Sequence, residues 1–269
     1  METALNPKLK GKPVAVCGKA EDRHGIVLAK SEAAKKYGIK TGDVIWQAKN
    51  KCRDLIVLEP HFDEYVKYGK AARRIYYDFT DMIEPFGMDE CWLDVTASEK
   101  LFGSDRKIAY KIKERVKKEL GITLSVGVSF NKTFAKLGSD MKKPDGLTII
   151  SPGNYKEKVW PLPVSDLLYV GPATTRKLTG YGIKTIGDLA ARPEKFLKSI
   201  LGKNGVMIHR FAKGGDAAAV RPVNAQIPVY SVGKGITCTD DLHTREEVAQ
   251  VIIALSQDVG TRLRMLHAF

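Results

Sequence analysis

The secondary-structure signals change character once, near residue 150, and that change limits the fold more than any other feature of the chain. Before it, strand-like and helix-like stretches are mixed. Residues 11–18, 25–29, 55–60, 121–129 and 147–150 are short apolar runs bounded by glycine, proline or polar residues, and read as strands. Residues 31–38 read as a short helix between a serine cap and a glycine stop. Residues 62–77, 106–120 and 131–141 carry apolar side chains at helical spacing. No strict strand–helix repeat joins them, so an α+β fold with a mainly antiparallel sheet is expected. After residue 150 only helices separated by glycine-bearing turns remain, up to residue 216. Residues 217–230, with Pro222 and Pro228, read as a tether. One strand candidate (231–239) and one helix (245–266) come last, too little for a core of their own.

Two adjacent acids, Asp89 and Glu90, come directly after Pro85, Gly87 and Met88. With a strand-like run on either side, residues 85–88 read as the tip of a β-hairpin. Along a strand, neighbouring side chains point to opposite faces. Both acids reach one ion only at a turn or strand end. Hard oxygen ligands there suit Mg²⁺, which keeps water or phosphate in its other positions. Adjacent acids are also common on an exposed turn, and the residues alone leave both readings open. Asp94, farther along the strand, reads as structural.

The formal net charge is +13. That balance favours a polyanionic partner, nucleic acid first and an acidic membrane surface second, although it also simply keeps a surface soluble. The basic residues of 107–118 surround an apolar stripe, the pattern of a solvated outer helix face. No apolar run reaches the ~18 residues of a spanning helix, and the first residues lack a signal-peptide pattern. Cys17, Cys52, Cys91 and Cys238 have no metal-type spacing and read as reduced cytoplasmic thiols. The five histidines are unpaired in sequence, so no zinc site is indicated. Residues 164–189 read as a helix–hairpin–helix. A glycine turn ahead of a helix exposes backbone N–H groups that bind phosphate without reading sequence. Gly171, Ala173 and Thr185 are the candidate DNA-backbone contacts.

Four stretches carry a resemblance. They are Phe-Gly-Met-Asp-Glu-Cys-Trp-Leu-Asp-Val-Thr (86–96), the run from Ser125 through Asn131, Lys132 and Lys136 to Lys142-Lys143-Pro144-Asp145-Gly146, the pair Tyr-Val-Gly-Pro-Ala (169–173) with Gly-Ile-Lys-Thr-Ile-Gly-Asp-Leu (182–189), and Gly-Lys-Pro-Val-Ala-Val (11–16). Their order and spacing resemble the Y-family DNA polymerases of the DinB and UmuC type, the ImpB/MucB/SamB group, which copy past damaged template. The resemblance covers most of residues 8–240. It implies a right-hand polymerase architecture: fingers over 1–61, an antiparallel-sheet palm over 62–150, a helical thumb over 151–217, a tether over 218–229 and part of a little finger over 230–269. It implies that Asp89 binds metal, that Glu90 is its catalytic neighbour, and that Lys143 and Lys35 contact the incoming triphosphate. Two Mg²⁺ ions, a dNTP and primer-template DNA complete the implied reaction, in-line attack of a primer 3′-hydroxyl on the α-phosphate.

The departures are specific. The family pattern opens with a strand bearing a further metal-binding Asp and an aromatic ribose gate, whereas residues 1–7 align with the segment just after that strand. A palm lacking its central strand and an inactive chain are therefore expected, with an open sheet edge that could take a strand from a second copy. Glu32 stands where DinB-type members carry a triphosphate-contacting Tyr, and Met88 where Ser is usual. The second half of the little finger and the sliding-clamp tail have no counterpart, so clamp binding is expected of the intact protein only. The other reading of the same scaffold is a non-catalytic DNA-binding module or remnant.

Overall fold

The computed structural model describes residues 1–19, 25–226 and 228–266. They form two units, Met1–Phe62 with Gln226–Phe269, and Asp63–Ala225. The first unit begins with the short helix α1 (Glu2–Leu5). Its sheet has β1 (Val14–Cys17) at the centre, β2 (Val27–Lys30) antiparallel on one side and β3 (Ile56–Leu58) parallel on the other. All four β1 side chains are buried, as befits a central strand covered on both faces. Helices α2 (Glu32–Lys35) and α3 (Ile45–Lys51) add Ala34 and Ala48 to a core with Ala15, Val27, Ile39 and Leu55. The Ser31 hydroxyl accepts from Ala34 N at 3.2 Å and Val14 N at 3.0 Å, so one group caps α2 and ties it to β1. The helix foreseen over 31–38 ends early, at Lys35. Helix α3 has no start signal in the sequence, because Val44 precedes it and offers no side-chain cap.

Helix α4 (Phe62–Tyr77), all but its first residue in the second unit, turns Ala72, Ile75 and Tyr76 inward. Strands β4 (Ile83–Phe86) and β5 (Glu90–Leu93) form an antiparallel hairpin. The short α5 (Glu99–Phe102) leads to α6 (Asp105–Leu120), whose Ile108, Ile112 and Val116 pack with Ile75, Phe79 and Ile83. Strand β6 (Val126–Ser129), helix α7 (Lys132–Met141) and strand β7 (Leu147–Ile150) come next, and β6 pairs with β7 in parallel. Among the described residues the ladders are thus two antiparallel and two parallel, not mainly antiparallel. In the β6–β7 pair the reason is α7: a strand that returns only after a crossover helix comes back in the same direction as the first.

Helices α8 (Tyr155–Val159), α9 (Pro172–Gly180), α10 (Ile186–Ala191) and α11 (Glu194–Ala212, kinked at Gly202) complete the helical part of the same unit. Their core, Leu178, Ile186, Leu189, Leu197 and Ile208, is continuous with Phe134 and Leu137 of α7 and Ile150 of β7. The chain then runs back along this unit. Asn131 Nδ2 donates to Gly214 O at 3.1 Å, and Asp216 Oδ2 accepts from Thr133 N at 3.1 Å and Thr133 Oγ1 at 2.8 Å. Glu84 accepts from Arg221 N at 2.9 Å and Arg221 Nη2 at 3.0 Å, and Asp81 O from Val223 N at 2.9 Å. The first part of the expected tether is therefore fastened.

Helix α12 (Arg245–Met265) belongs to the first unit and starts with a capping box between Thr244 and Glu247. The strand foreseen over 231–239 pairs with nothing among the described residues, since an isolated strand cannot satisfy its backbone. That segment meets α12 instead, where Gly233 O accepts from Arg262 Nη1 at 3.1 Å. No described helix is long and apolar enough to cross a membrane.

Candidate active site

The hairpin turn occupies residues 87–89, with Gly87 at φ +82° and Phe86 opposite Glu90. It lies slightly later than foreseen because Pro85 stays in the strand, opposite Cys91, which an edge strand allows. Asp89 is thus the exposed last residue of the turn and Glu90 the first of β5. Both stand where the strand pleat begins, as sharing one ion requires. The turn rests on α4. Arg73 Nη1 donates to Met88 O at 3.3 Å, and a Cβ on Gly69 would come within 2.7 Å of that same oxygen.

Cross-strand partners share a face, as do residues two apart along a strand. Glu84, Phe86, Glu90 and Trp92 therefore project together, and their contacts show that they face α7. The Phe86 and Trp92 rings lie 4.6 Å apart, and Trp92 Nε1 donates to Lys132 O at 3.0 Å. Lys132 Nζ pairs with Glu84 Oε2 at 2.5 Å, and Lys136 Nζ with Glu90 Oε1 at 2.8 Å. The two lysines lie four residues apart on one helix face, so they form two rungs between helix and hairpin. Ile83, Cys91 and Leu93 point the other way, toward the α4 and α6 core.

The second rung continues. Lys136 Nζ also reaches Asp140 Oδ2 at 2.8 Å, and Lys143 Nζ reaches Asp140 Oδ1 at 2.6 Å. Glu90, Lys136, Asp140 and Lys143 form one chain of alternating charge from the acidic turn to the basic one. Burial pushes Asp140 up, but hydrogen bonds from Lys136 and Lys143 outweigh it and hold the carboxyl below its ordinary range. Burial likewise lowers Lys136, and its bonds to Asp140 and Glu90 more than compensate, so it is raised. Sequence reasoning gives Lys136 and Asp140 no role. Their spacing, four residues from each other and three from Asp140 to Lys143, is the available signal. Lys35 lies in the other unit, on α2, where it pairs with Glu32 at 2.6 Å. Asp94 Oδ1 accepts from Thr96 N at 3.0 Å and Thr96 Oγ1 at 2.6 Å, a local turn contact.

Asp89 and Glu90 supply two carboxylates of hard oxygen, a donor set that fits Mg²⁺ sharing its shell with water and phosphate. No group of three or more His, Cys, Asp and Glu able to hold an ion occurs among the described residues.

The helix ends differ. Gly171 caps α9 without a side-chain bond, and Gly171, Pro172 and Ala173 are exposed. Within the described residues the N–H groups of Gly171, Ala173 and Thr174 have no acceptor. At α10 every early donor is used. Ile186 N bonds Leu162 O, Gly187 N bonds Trp160 O, Asp188 N bonds Thr185 Oγ1, and Thr185 N bonds Asp188 Oδ2. The bonds from Thr185 N and Lys184 N hold the Asp188 carboxyl below its usual range. Gly171 and Ala173 can thus offer N–H groups to a phosphate, whereas the N–H of Thr185 is consumed by its own capping box. Thr185→Ala is expected to cost about 1 kcal/mol of stability and to leave DNA affinity unchanged, read by urea denaturation and fluorescence anisotropy on the same protein.

The impB/mucB/samB family model matches residues 1–140. DNA polymerase IV of Acetivibrio thermocellus is 53% identical over 264 residues, covering 98% of this chain and 66% of the relative. DNA polymerase IV 1 of Bacillus subtilis is 41% identical over 266 residues, 98% of this chain and 63% of the relative. The chain therefore spans about two thirds of the length of the curated relatives it matches. Among solved structures, DinB from Sulfolobus solfataricus superimposes with a TM-score of 0.72 at 28% identity, covering 81% of this chain and 64% of that one. The insertion ternary complex of Dbh DNA polymerase gives 0.73 at 28% identity, over 81% and 65%. With its α+β fold matching these polymerases and its first half matching the family model, the chain belongs to the impB/mucB/samB family of Y-family DNA polymerases.

Proposed function

We propose that this chain forms the nucleotide-handling part of a polymerase that extends a primer past damaged template bases. The observation that carries the reading is the charge chain Glu90–Lys136–Asp140–Lys143, which links an acidic turn to a basic one. In this reading residues 1–61 are fingers, 62–150 palm, 151–217 thumb, 218–229 tether and 230–269 part of a little finger. The unit boundary next to Phe62 supports the first of these divisions. Primer-template DNA, a dNTP and Mg²⁺ are the ligands, and the cytoplasm, where all three meet, is the location.

Lys143, half exposed, neutralises a triphosphate oxygen as a flexible point charge. The open N–H groups at Gly171 and Ala173 hold a DNA phosphate without reading its sequence. Lys136 keeps the Glu90 carboxylate aimed along α7 until a stronger cation competes for it. Asp89 and Glu90 would hold Mg²⁺, two ions in the full reaction, which when bound polarise phosphate oxygens and favour the 3′-alkoxide. Two carboxylates, one of them shared with Lys136, neutralise two divalent ions poorly. Residues 1–269 are therefore expected to bind both ligands and to extend a primer weakly or not at all.

The test is equilibrium binding. With Mg²⁺ and a primer-template, residues 1–269 should bind the dNTP complementary to the template base, and Lys143→Ala should weaken dNTP binding by roughly tenfold, the loss of one charge-assisted contact. DNA affinity should change little. DNA binding with no dNTP binding would favour a non-catalytic DNA-binding module instead. Extension at a rate comparable with a full-length relative would overturn the expected inactivity.

A further inference from the structure

One lysine on α6 is placed against the pattern of its helix. The inward stripe of α6 is Ile108, Ala109, Ile112, Lys113 and Val116, all buried. A charged side chain in that position is costly unless it is paired. Lys113 Nζ is paired, and every acceptor lies in one place. It donates to the carbonyls of Asp145 and of Gly146, the latter at 3.0 Å, and pairs with Asp145 Oδ1 at 2.9 Å. Lys117, one turn on, adds a contact to Asp145 Oδ2 at 3.4 Å. The Asp145 carboxyl is held below its ordinary range, chiefly by the Lys113 hydrogen bond.

These acceptors belong to the turn that carries Lys143. At its start the turn is tied through the Lys143–Asp140 ion pair at 2.6 Å. Near its end Gly146 N donates to Ser125 Oγ at 3.3 Å. Between them Asp145 sits at φ +55°, a left-handed conformation that Asp tolerates but does not prefer. Lys113 takes the carbonyls and the carboxylate of this segment from the side facing the core. A lysine ammonium fixes no geometry of its own, so the backbone beneath Lys143 must supply it.

We propose that Lys113 is a positioning residue for triphosphate binding: from inside the fold it holds the 142–146 turn in the one conformation that presents Lys143 to the substrate. The inference rests on Lys143 being the triphosphate ligand. Lys113 itself touches no substrate. Its partners are two residues and more beyond Lys143, and misplacement of a binding group by ~1 Å is enough to cost most of what the group contributes.

Lys113→Met keeps the apolar stem as far as Cε and removes the ammonium group. On the full chain bound to primer-template with Mg²⁺, it should raise the dissociation constant of the complementary dNTP roughly tenfold while DNA affinity stays within about twofold. In a Lys143→Ala background it should add less than about twofold, because the two changes remove one interaction. Lys113→Arg, which keeps the charge, should recover part of the loss. Amide exchange should quicken in residues 142–146 and not along α7. A folded Lys113→Met protein with unaltered dNTP affinity would overturn the proposal, as would effects that multiply in the double variant. Should Lys113→Met not fold, Asp145→Asn at the partly exposed partner decides, and unchanged dNTP affinity there overturns it equally. If Lys143→Ala leaves dNTP affinity intact, it is the reading of Lys143 that fails, and an altered Lys113→Met protein then has another cause.

Discussion

Replacing Glu84 by alanine is expected to cost about 3–5 kcal/mol, the range for breaking a buried ion pair from one side. Glu84 is 7% exposed and is held by Lys132 Nζ at 2.5 Å, Arg221 N at 2.9 Å and Arg221 Nη2 at 3.0 Å, and the Lys132 charge also lies over the Trp92 ring. Alanine leaves the Lys132 ammonium, on a side chain only 11% exposed, without its carboxylate and frees Arg221 from the hairpin. Urea denaturation checks the cost. Replacing Glu84 and Lys132 together by apolar residues of similar volume should recover most of it, since the penalty is the stranded charge rather than the lost attraction. The pH dependence has a definite sign. Burial raises Glu84, but hydrogen bonds from Lys132 and Arg221 outweigh it and place the folded carboxyl below its ordinary range. Its contribution is present in full above the unfolded glutamate pKa and is lost as pH falls through the lowered folded value. The Glu84→Ala protein should lack that part of the acid transition. A variant equally stable at neutral pH, with the same acid profile, would show that the strap 214–223 is held by its other contacts.

Features readable from the sequence are local, and those that are not readable are tertiary. The hairpin at 83–93 shows itself through strand-like runs on either side of a glycine-bearing turn, although Pro85, read as part of that turn, stays in the strand. The cap at Ser31 and the amphipathic stripes of α4, α6 and α7 are visible for similar reasons: each depends on residues within a few positions of one another. The ion pairs that organise the site do not. Lys136 meets Glu90 across 46 positions, and Arg221 meets Glu84 across 137. No spacing rule reaches that far, so the roles of Lys136, Asp140 and Glu84 emerge only in three dimensions. Thr185 shows the opposite limit. Thr-x-x-Asp is a readable capping box, yet its meaning for phosphate depends on where the helix's N–H groups go, and Leu162 O and Trp160 O, supplied by packing, already take two of them. Lys113 reads as one more solvated lysine on a basic helix. Only its burial and its acceptors 32 positions away distinguish it.

Gly127→Ala should be among the most damaging single methyl additions in the second unit, at least ~3 kcal/mol, toward the upper end for overpacking. A Cβ at Gly127 would lie 1.9 Å from Ala135 O, 2.6 Å from Ser139 N and 2.9 Å from Ala135 C, all backbone atoms of α7. No side chain can rotate away to make room, so the helix must lift from β6. Lifting it moves both rungs at once, because Lys132 and Lys136 stand on the same helix and reach Glu84 and Glu90 from it. A neighbouring glycine provides the comparison. At Gly138 the nearest atoms are Gly127 Cα at 3.2 Å and Ile150 Cδ1 at 3.3 Å, one of them the end of a flexible side chain. Gly138→Ala also gains about 1 kcal/mol of helix propensity, so its net effect should be small. Denaturation midpoints of the two variants should therefore separate widely, with Gly127→Ala also losing dNTP affinity in proportion as Lys136, Asp140 and Lys143 are displaced. Similar midpoints for the two would mean that β6 and α7 pack more loosely than their contact distances require, and that the alternating charge chain is not held by the backbone beneath it.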